Sequence, residues 1–306
     1  MPEVTCHEVG EQRIAEALED IWGQAFDHWH GLRYRRLSLQ RLQTMCDKLL
    51  DNVAARTLEE DPTLSAAPSR VVLRTAAECA LGALGLGAFP DGDFKIPFPL
   101  INQTLSSEDF GSTDLDQAPT ARTWLDAFAM CLISGAIWEK DRVIGLLLRS
   151  DYAPAIRDGV PYSTLESHSD PAGLAEMDAL CRYLTEAPGH LPGDWPAVTL
   201  RKPDVEERAE AARRLSALGE LTPDQQLLRV LLEDDQPAFE RALDGRLVQH
   251  RGSGAADAAP RSLLPAGTIA LAALAVQVHG WELGISSGYL PEGMLRAPEG
   301  APQPGV

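Results

Sequence analysis

The chain has few of the features that usually announce a chemistry. Its five cysteines, Cys6, Cys46, Cys79, Cys131 and Cys181, stand singly with no CxxC pair. A disulfide framework is therefore not expected, and thiols so placed read as small buried hydrophobes in a reducing compartment. Basic side chains are scarce: 27 face 45 acidic ones, a formal net charge of −18. The resulting field repels nucleic acid and anionic lipid and attracts cationic surfaces, although acidity of this kind also serves solubility alone. Long apolar runs are missing too. The most apolar segment, Leu263–Val278, contains Pro265, Gly267 and Gln277, whereas a membrane span needs about 20 apolar residues. A buried helix is expected there. Met1–Gly10 carries no basic region followed by an apolar run, so no export signal is expected. The protein is expected to be soluble and cytoplasmic.

Recognised catalytic and metal motifs are missing as well. Asp27-His28-Trp29-His30 holds an His-x-His pair, but on a helix the two rings point about 200° apart. No HExxH or cysteine pair accompanies them, so no metal is assigned. With Arg33, Arg35, Arg36 and Arg41 following, the stretch reads as a local basic patch paired with acids of the same chain, or as a phosphate contact. Asp91-Gly92-Asp93 is only a fragment of a calcium loop. Gly82, Gly85 and Gly87 fail the GxGxxG spacing and read as a glycine-rich helix end. Ser134 does not stand in GxSxG. His168, His190, His250 and His279 are isolated in sequence and read as satisfied structural residues. No catalytic residue and no cofactor is assigned.

What the sequence does contain is helical periodicity. Trp124, Phe128, Cys131 and Trp138 recur at steps of three and four, marking one buried face of a helix capped at Thr120. Val205, Ala209, Ala212, Leu215 and Leu218 repeat the pattern, and Gly219 ends it. Thr222-Pro223-Asp224-Gln225 then has the hydroxyl, the first-turn proline and the returning amide of a capping box. Two helices so closely joined must form an antiparallel hairpin. Further helices are expected near 10–30, 38–60, 69–87, 171–186, 236–250 and 266–280. The stretch 88–119 is too rich in glycine and proline for a long helix and reads as an irregular crossover, with room for a short strand at Asp93–Ile96. Irregular stretches are also expected at 152–171 and 188–203, with a flexible loop at Gly252–Ala259. The expected fold is predominantly all-α: an antiparallel helix-hairpin bundle or a short α-solenoid. One domain spans 1–296, with helices 10–87 packed on the remainder, and 297–306 form an unpacked tail.

Acidic residues cluster at Glu59-Glu60-Asp61, Glu206-Glu207 and Glu233-Asp234-Asp235. Neighbouring carboxylates do not establish the facing pair that glycoside hydrolysis needs. They read either as solvated helix ends or as an anionic surface complementary to a basic partner.

Three stretches carry a family likeness. Thr123-Trp124-Leu125-Asp126-Ala127-Phe128 runs on to Ile137-Trp138-Glu139-Lys140-Asp141-Arg142. Leu227–His250 contains Asp235-Gln236-Pro237-Ala238-Phe239-Glu240-Arg241-Ala242-Leu243 and closes on His250-Arg251. Leu263–Leu295 is an apolar helix followed by Ser287-Gly288-Tyr289-Leu290-Pro291-Glu292. In this order they resemble the immunity protein 49 family of predicted antitoxins from bacterial polymorphic toxin systems, over most of residues 90–296. The chain departs from the family's pattern around His168–Leu180 and in Gly252–Ala259. The resemblance implies a helical fold, no catalytic residue, and a cognate toxin domain as partner. Net charge favours a basic toxin, of nuclease or deaminase type, met by the eight acids named above. Neither nucleic acid nor membrane is expected as a direct partner. The alternative is an enzyme or small-molecule-binding protein on the same scaffold, with its pocket near Trp22–Tyr34 or Phe89–Phe98.

Overall fold

A computed structural model describes residues 3–34, 38–89, 95–106, 118–139, 146–159, 166–185, 200–255 and 257–301. The expected helix over 10–30 is two, α1 (Glu11–Leu18) and α2 (Ile21–Tyr34). The chain is extended at Glu19, and Asp20 Oδ1 accepts the Gly23 amide at 3.0 Å to restart it. α3 (Leu39–Glu59) begins where Ser38 accepts the Arg41 amide, and α4 (Ala67–Ala88) returns antiparallel beside it. Asp61 shapes the turn between them, taking the amides of Ser65 (3.1 Å) and Ala66 (3.0 Å).

α4 is the one described helix long and apolar enough to cross a membrane, yet 78% of that window is buried inside the protein. Its last two turns carry the glycines from Gly82 to Gly87, and it ends at Ala88, as expected of a glycine-rich helix end. They mark close approach: a Cβ on Gly82 would meet Ile96 at 2.6 Å, and one on Gly85 would meet the Tyr152 hydroxyl at 2.8 Å. The crossover contributes a two-stranded hairpin, β1 (Lys95–Phe98) and β2 (Gln103–Ser106), antiparallel with Ile96 opposite Leu105. A single 3-10 turn joins them and closes on Asn102 in the left-handed region (φ 51°). Asp93 and Phe94 of the expected strand, and the Asp91-Gly92-Asp93 fragment, lie outside the described residues.

The helix expected over Trp124–Trp138 divides. α5 (Ala121–Ile133) stops at Ser134, Gly135 turns the chain at φ 79°, and α6 (Ala136–Glu139) resumes. The Arg70 guanidinium reaches in to bond the Ser134 carbonyl at 2.8 Å. Both tryptophans still face inward: Trp124 Nε1 donates to the Leu148 carbonyl and Trp138 Nε1 to Gln277 Oε1, each at 2.6 Å. Residues 146–158, the first of them not assigned from sequence and the rest read as irregular, form a π-helical turn (Leu146–Tyr152) leading into α7 (Ala153–Asp158). α8 (Pro171–Cys181) is shorter than expected, because the chain turns at Arg182 and Leu184 bridges to Leu200.

The hairpin read around Gly219 is present as α9 (Val205–Ser216) and α10 (Pro223–Leu232). Both have capping boxes: Asp204 with Glu207, and Thr222 with Gln225. α11 (Gln236–Gly252) follows a turn at Asp234 (φ 61°). α12 (Ala266–Gln277) buries every residue from Thr268 to Ala275, which is what a helix apolar all round requires. α3, α4, α5 and α12 pack in succession through the centre, with α8 to α11 on one side, and α13 (Glu292–Leu295) ends the helical part. The fold is predominantly α-helical, as the periodicity predicts.

The chain's beginning is anchored on its end. Val4 bridges to Ser287, and the ring of His7 is held between the Tyr289 hydroxyl (2.7 Å) and Ser262 Oγ (2.8 Å). Of the expected unpacked tail, Ala297–Ala301 is described: Pro298 lies against Gly135, and Ala301 packs on the core.

Candidate functional site

The eight acids proposed as partner contacts do different work. Asp61, Glu207 and Asp235 are consumed locally. Asp61 closes the α3–α4 turn; burial would raise its pKa, but the Ala66 and Ser65 amides hold it below the usual range. Glu207 is gripped by both Nη atoms of Arg201 (2.7 and 2.6 Å), which, with the Asp204 amide, brings its pKa down to about 2. Asp235 caps α11 through the Ala238 amide at 3.0 Å. Glu60 pairs with Arg56 (2.9 Å) and Glu233 with Arg229 (3.5 Å), one turn earlier on their own helices. Glu59 and Glu206 are exposed. The structure joins the α9 acids to the α10–α11 turn through Arg208 and Asp234 (3.1 Å), and leaves Glu59–Asp61 beside Thr63, whose carbonyl accepts the Gly293 amide.

Asp234 belongs to a partly buried network that local sequence patterns do not reveal. Its carboxylate receives Lys202 Nζ at 2.8 Å and His279 Nδ1 at 2.7 Å, while His279 Nε2 lies 2.9 Å from the Tyr183 hydroxyl. His279 is thus not isolated. Burial pushes its pKa down to about 4 despite the carboxylate, so at neutral pH the ring is uncharged, with Nδ1–H donating to Asp234 and Nε2 accepting from Tyr183. Tyr183, at 0% exposure, keeps its hydroxyl protonated. These contacts tie α8, α9, the α10–α11 turn and the end of α12 together. The two partners of His279 stand 45 and 96 residues away in sequence, so only the tertiary fold unites them.

One other grouping of chemically capable side chains lies outside this network. Ser262 Oγ, His7 and Tyr289 resemble a nucleophile–base pair, yet the Tyr289 hydroxyl also takes the His7 backbone amide at 2.7 Å, and the cluster fastens the N-terminal segment. Neither Ser262 nor His7 lines any of the cavities described below. Among the described residues no group of three or more His, Cys, Asp or Glu side chains could hold a metal. His28 is half-buried, with its pKa lowered by burial and by Lys48, while the exposed His30 ring lies tilted against Tyr34 (4.7 Å). The cysteines are free; burial pushes the Cys46 and Cys181 thiols up to about 12.

The feature best suited to holding a macromolecule is an aromatic ladder on α2. Trp22, Phe26, His30 and Tyr34 recur every fourth residue, and successive rings lie 5.4, 6.5 and 4.7 Å apart, the first pair stacked and the other two tilted. Trp22 is 52% and Tyr34 62% exposed, while Trp29 and Leu32 turn inward to hold the helix. The Arg33 guanidinium lies 5.6 Å from the Trp29 ring and 5.5 Å from that of Tyr34. Within the basic patch, Arg33 sits against aromatic rings and Arg41 donates to the Gly31 carbonyl at 3.0 Å. Arg35 and Arg36 lie outside the described residues. Tryptophan, tyrosine and arginine are the side chains that dominate binding energy at protein interfaces.

Three cavities are notable. One of about 690 Å³ runs under the C-terminal loop between Trp281 and Arg296, and one of about 360 Å³ lies between Gly87 and His168. A third, of about 390 Å³, is lined by Arg149, Arg157, Asp178, Cys181, Arg182 and Arg214. None is lined by Trp22–Tyr34 or Phe89–Phe98, where a pocket was expected.

The family model described as immunity protein 49 matches residues 61–294 of this chain. The match starts earlier than the motifs between 90 and 296, taking in the α3–α4 turn and α4. No curated protein and no solved structure matches.

Proposed function

Because the chain belongs to the immunity protein 49 family, we propose that it neutralises a cognate bacterial toxin domain by stoichiometric binding, in the cytoplasm of the cell that makes it. The observation that carries this reading is the family match over residues 61–294. Two physical features support it. A net charge of −18 speeds encounter with a cationic toxin, of nuclease or nucleic-acid deaminase type; electrostatic steering can bring association to about 10⁸–10⁹ M⁻¹s⁻¹ at low salt. The α2 ladder supplies exposed Trp22 and Tyr34 as anchors, flanked by the exposed Asp27. Aromatic faces and a carboxylate together suit an arginine-bearing surface.

This assigns α2, which precedes the family-matched segment, the main contact role, with exposed Glu59 and Glu206 contributing long-range attraction. A specific complex should bury about 1,600 Å². The test is to mix the purified protein with the toxin domain encoded next to it, following toxin activity and complex mass together. Suppression that is complete at one equivalent, with a 1:1 complex, is the expected result. Trp22→Ala combined with Tyr34→Ala should weaken the complex at least about tenfold while leaving the fold intact. Undiminished toxin activity at excess antidote refutes the function; undiminished affinity of the double variant refutes the surface.

A further inference from the structure

The cavity lined by arginines is out of character for this protein. Over the whole chain acids outnumber bases by 45 to 27, yet here four arginines, Arg149, Arg157, Arg182 and Arg214, line one open space with a single carboxylate, Asp178. They arrive from four elements: the π-helical turn, α7, the end of α8, and α9. Nothing in their sequence spacing announces the convergence.

Like charges held in one concavity repel, so the arrangement needs compensation. Asp178 pairs with Arg157. Glu210 holds Arg214 Nε at 2.8 Å, but it is shared with Arg213. Glu207 approaches Arg182 Nη1 at 3.9 Å while both its oxygens are committed to Arg201. The acids that steady the arginines from behind are thus themselves divided between two cations. Arg149 Nη1 is oriented by the Leu184 carbonyl at 2.6 Å. The Cys181 thiol, its pKa raised by burial to about 12, adds no negative charge. Four arginines thus line one space against a single lining carboxylate.

We infer that this cavity is a binding site for a small phosphorylated ligand or free phosphate oxyanion. Guanidinium forks match the tetrahedral oxygens of phosphate and can donate from several sides at once. A phosphate or diphosphate presents acceptor oxygens to several such forks at once, which a single carboxylate does not. A volume of about 390 Å³ lies at the small end of ligand pockets and suits a phosphate, a diphosphate or a nucleotide's phosphate tail. Nucleic acid is disfavoured, because a long polyanion would meet the repulsive field of the remaining surface. The site stands apart from the α2 ladder, and its failure would leave the toxin-binding proposal untouched.

The test is calorimetric and thermal-shift titration of the full chain with inorganic phosphate, pyrophosphate and a nucleoside diphosphate in low-salt chloride buffer. Saturable binding by at least one is expected, with pyrophosphate tighter than phosphate. A nucleoside diphosphate that binds more tightly than pyrophosphate assigns a nucleotide; equal or weaker binding assigns an inorganic or simple phosphoester ligand. Arg182→Gln should weaken binding about tenfold or more, since it removes a charge-assisted contact. Arg214→Gln, at a half-exposed position where folding is not at risk, should weaken it several-fold. Arg122→Gln, an exposed arginine away from the cavity, should leave it unchanged. No saturable binding by any of the three anions overturns the assignment, and so does an equal effect of Arg122→Gln and Arg182→Gln.

Discussion

Replacing Glu176 with Gln should raise stability at alkaline pH and expose an acid sensitivity that the natural protein conceals. Glu176 lies on α8, where burial pushes its pKa up to about 7; Asp224 and Asp170 reinforce the shift, and the Gln225 amide (3.0 Å) and Arg122 only partly offset it. In the unfolded chain the same carboxyl titrates near 4.5. Between those values the folded state holds a proton that the unfolded state has lost, so stability falls as pH rises across the window. Above it the cost is complete, about 2–3 kcal/mol after allowing for the solvent at its half-exposed edge.

His279 works in the opposite direction. Its pKa falls from 6.5 to about 4 through burial, so the folded state refuses a proton that the unfolded state accepts. Stability is then lost as pH drops from 6.5 through 4, by about 3 kcal/mol at most. The two windows overlap, and the wild-type curve should be nearly flat between them. Glu176→Gln keeps an amide in place to bond Gln225 and removes the carboxyl. Urea denaturation midpoints should then show the variant more stable by about 2–3 kcal/mol near pH 8, equal to wild type near pH 4.5, and falling steadily between. A shift of the same size at both ends, or a loss of stability near pH 8, would refute the argument.

Glu207→Gln should destabilise by about 2 kcal/mol at neutral pH, because its carboxylate, held at about 2 by Arg201, contributes fully above its ordinary 4.5 and loses that contribution as pH falls through 2; midpoints of the two proteins should converge on acidification. Gly82→Ala and Gly245→Ala, both inside helices, should act oppositely. The first drives a Cβ to 2.6 Å from Ile96 and should cost about 1–3 kcal/mol, whereas the second meets nothing within 4 Å and should gain up to about 1 kcal/mol. Thr222→Ala removes the hydroxyl that accepts the Gln225 amide and should cost about 1 kcal/mol in a thermal or urea melt.

Much of the helical order was legible because it is local. The Thr222 box, the period from Val205 to Leu215 and the apolar α12 each declare themselves within a dozen residues. Boundaries failed where tertiary contacts decide them. The break at Ser134–Gly135 depends on Arg70, 64 residues away, and the glycines that close α4 show their packing role only through Ile96 and Tyr152, which need the space and are distant in sequence. The π-helical turn carries no pattern that separates it from a loop, since its Trp124 contact through the Leu148 carbonyl is long-range.

The same division explains the fate of the acids. A sequence reveals that Glu206-Glu207 and Glu233-Asp234-Asp235 are charged, but capping and pairing draw on partners that composition cannot locate. Asp234 is spent on Lys202, Arg208 and His279, and Glu207 on Arg201. Charge that looks available for a partner is largely bound within the fold, so attraction at long range and contact at short range fall to different residues. The net −18 acts through the whole surface, where no single carboxylate is indispensable. Close contact calls instead for exposed side chains whose burial gains energy, and on α2 these are rings rather than acids. Removing Glu206 should therefore alter mainly association rate and its salt dependence, whereas removing Trp22 should alter dissociation.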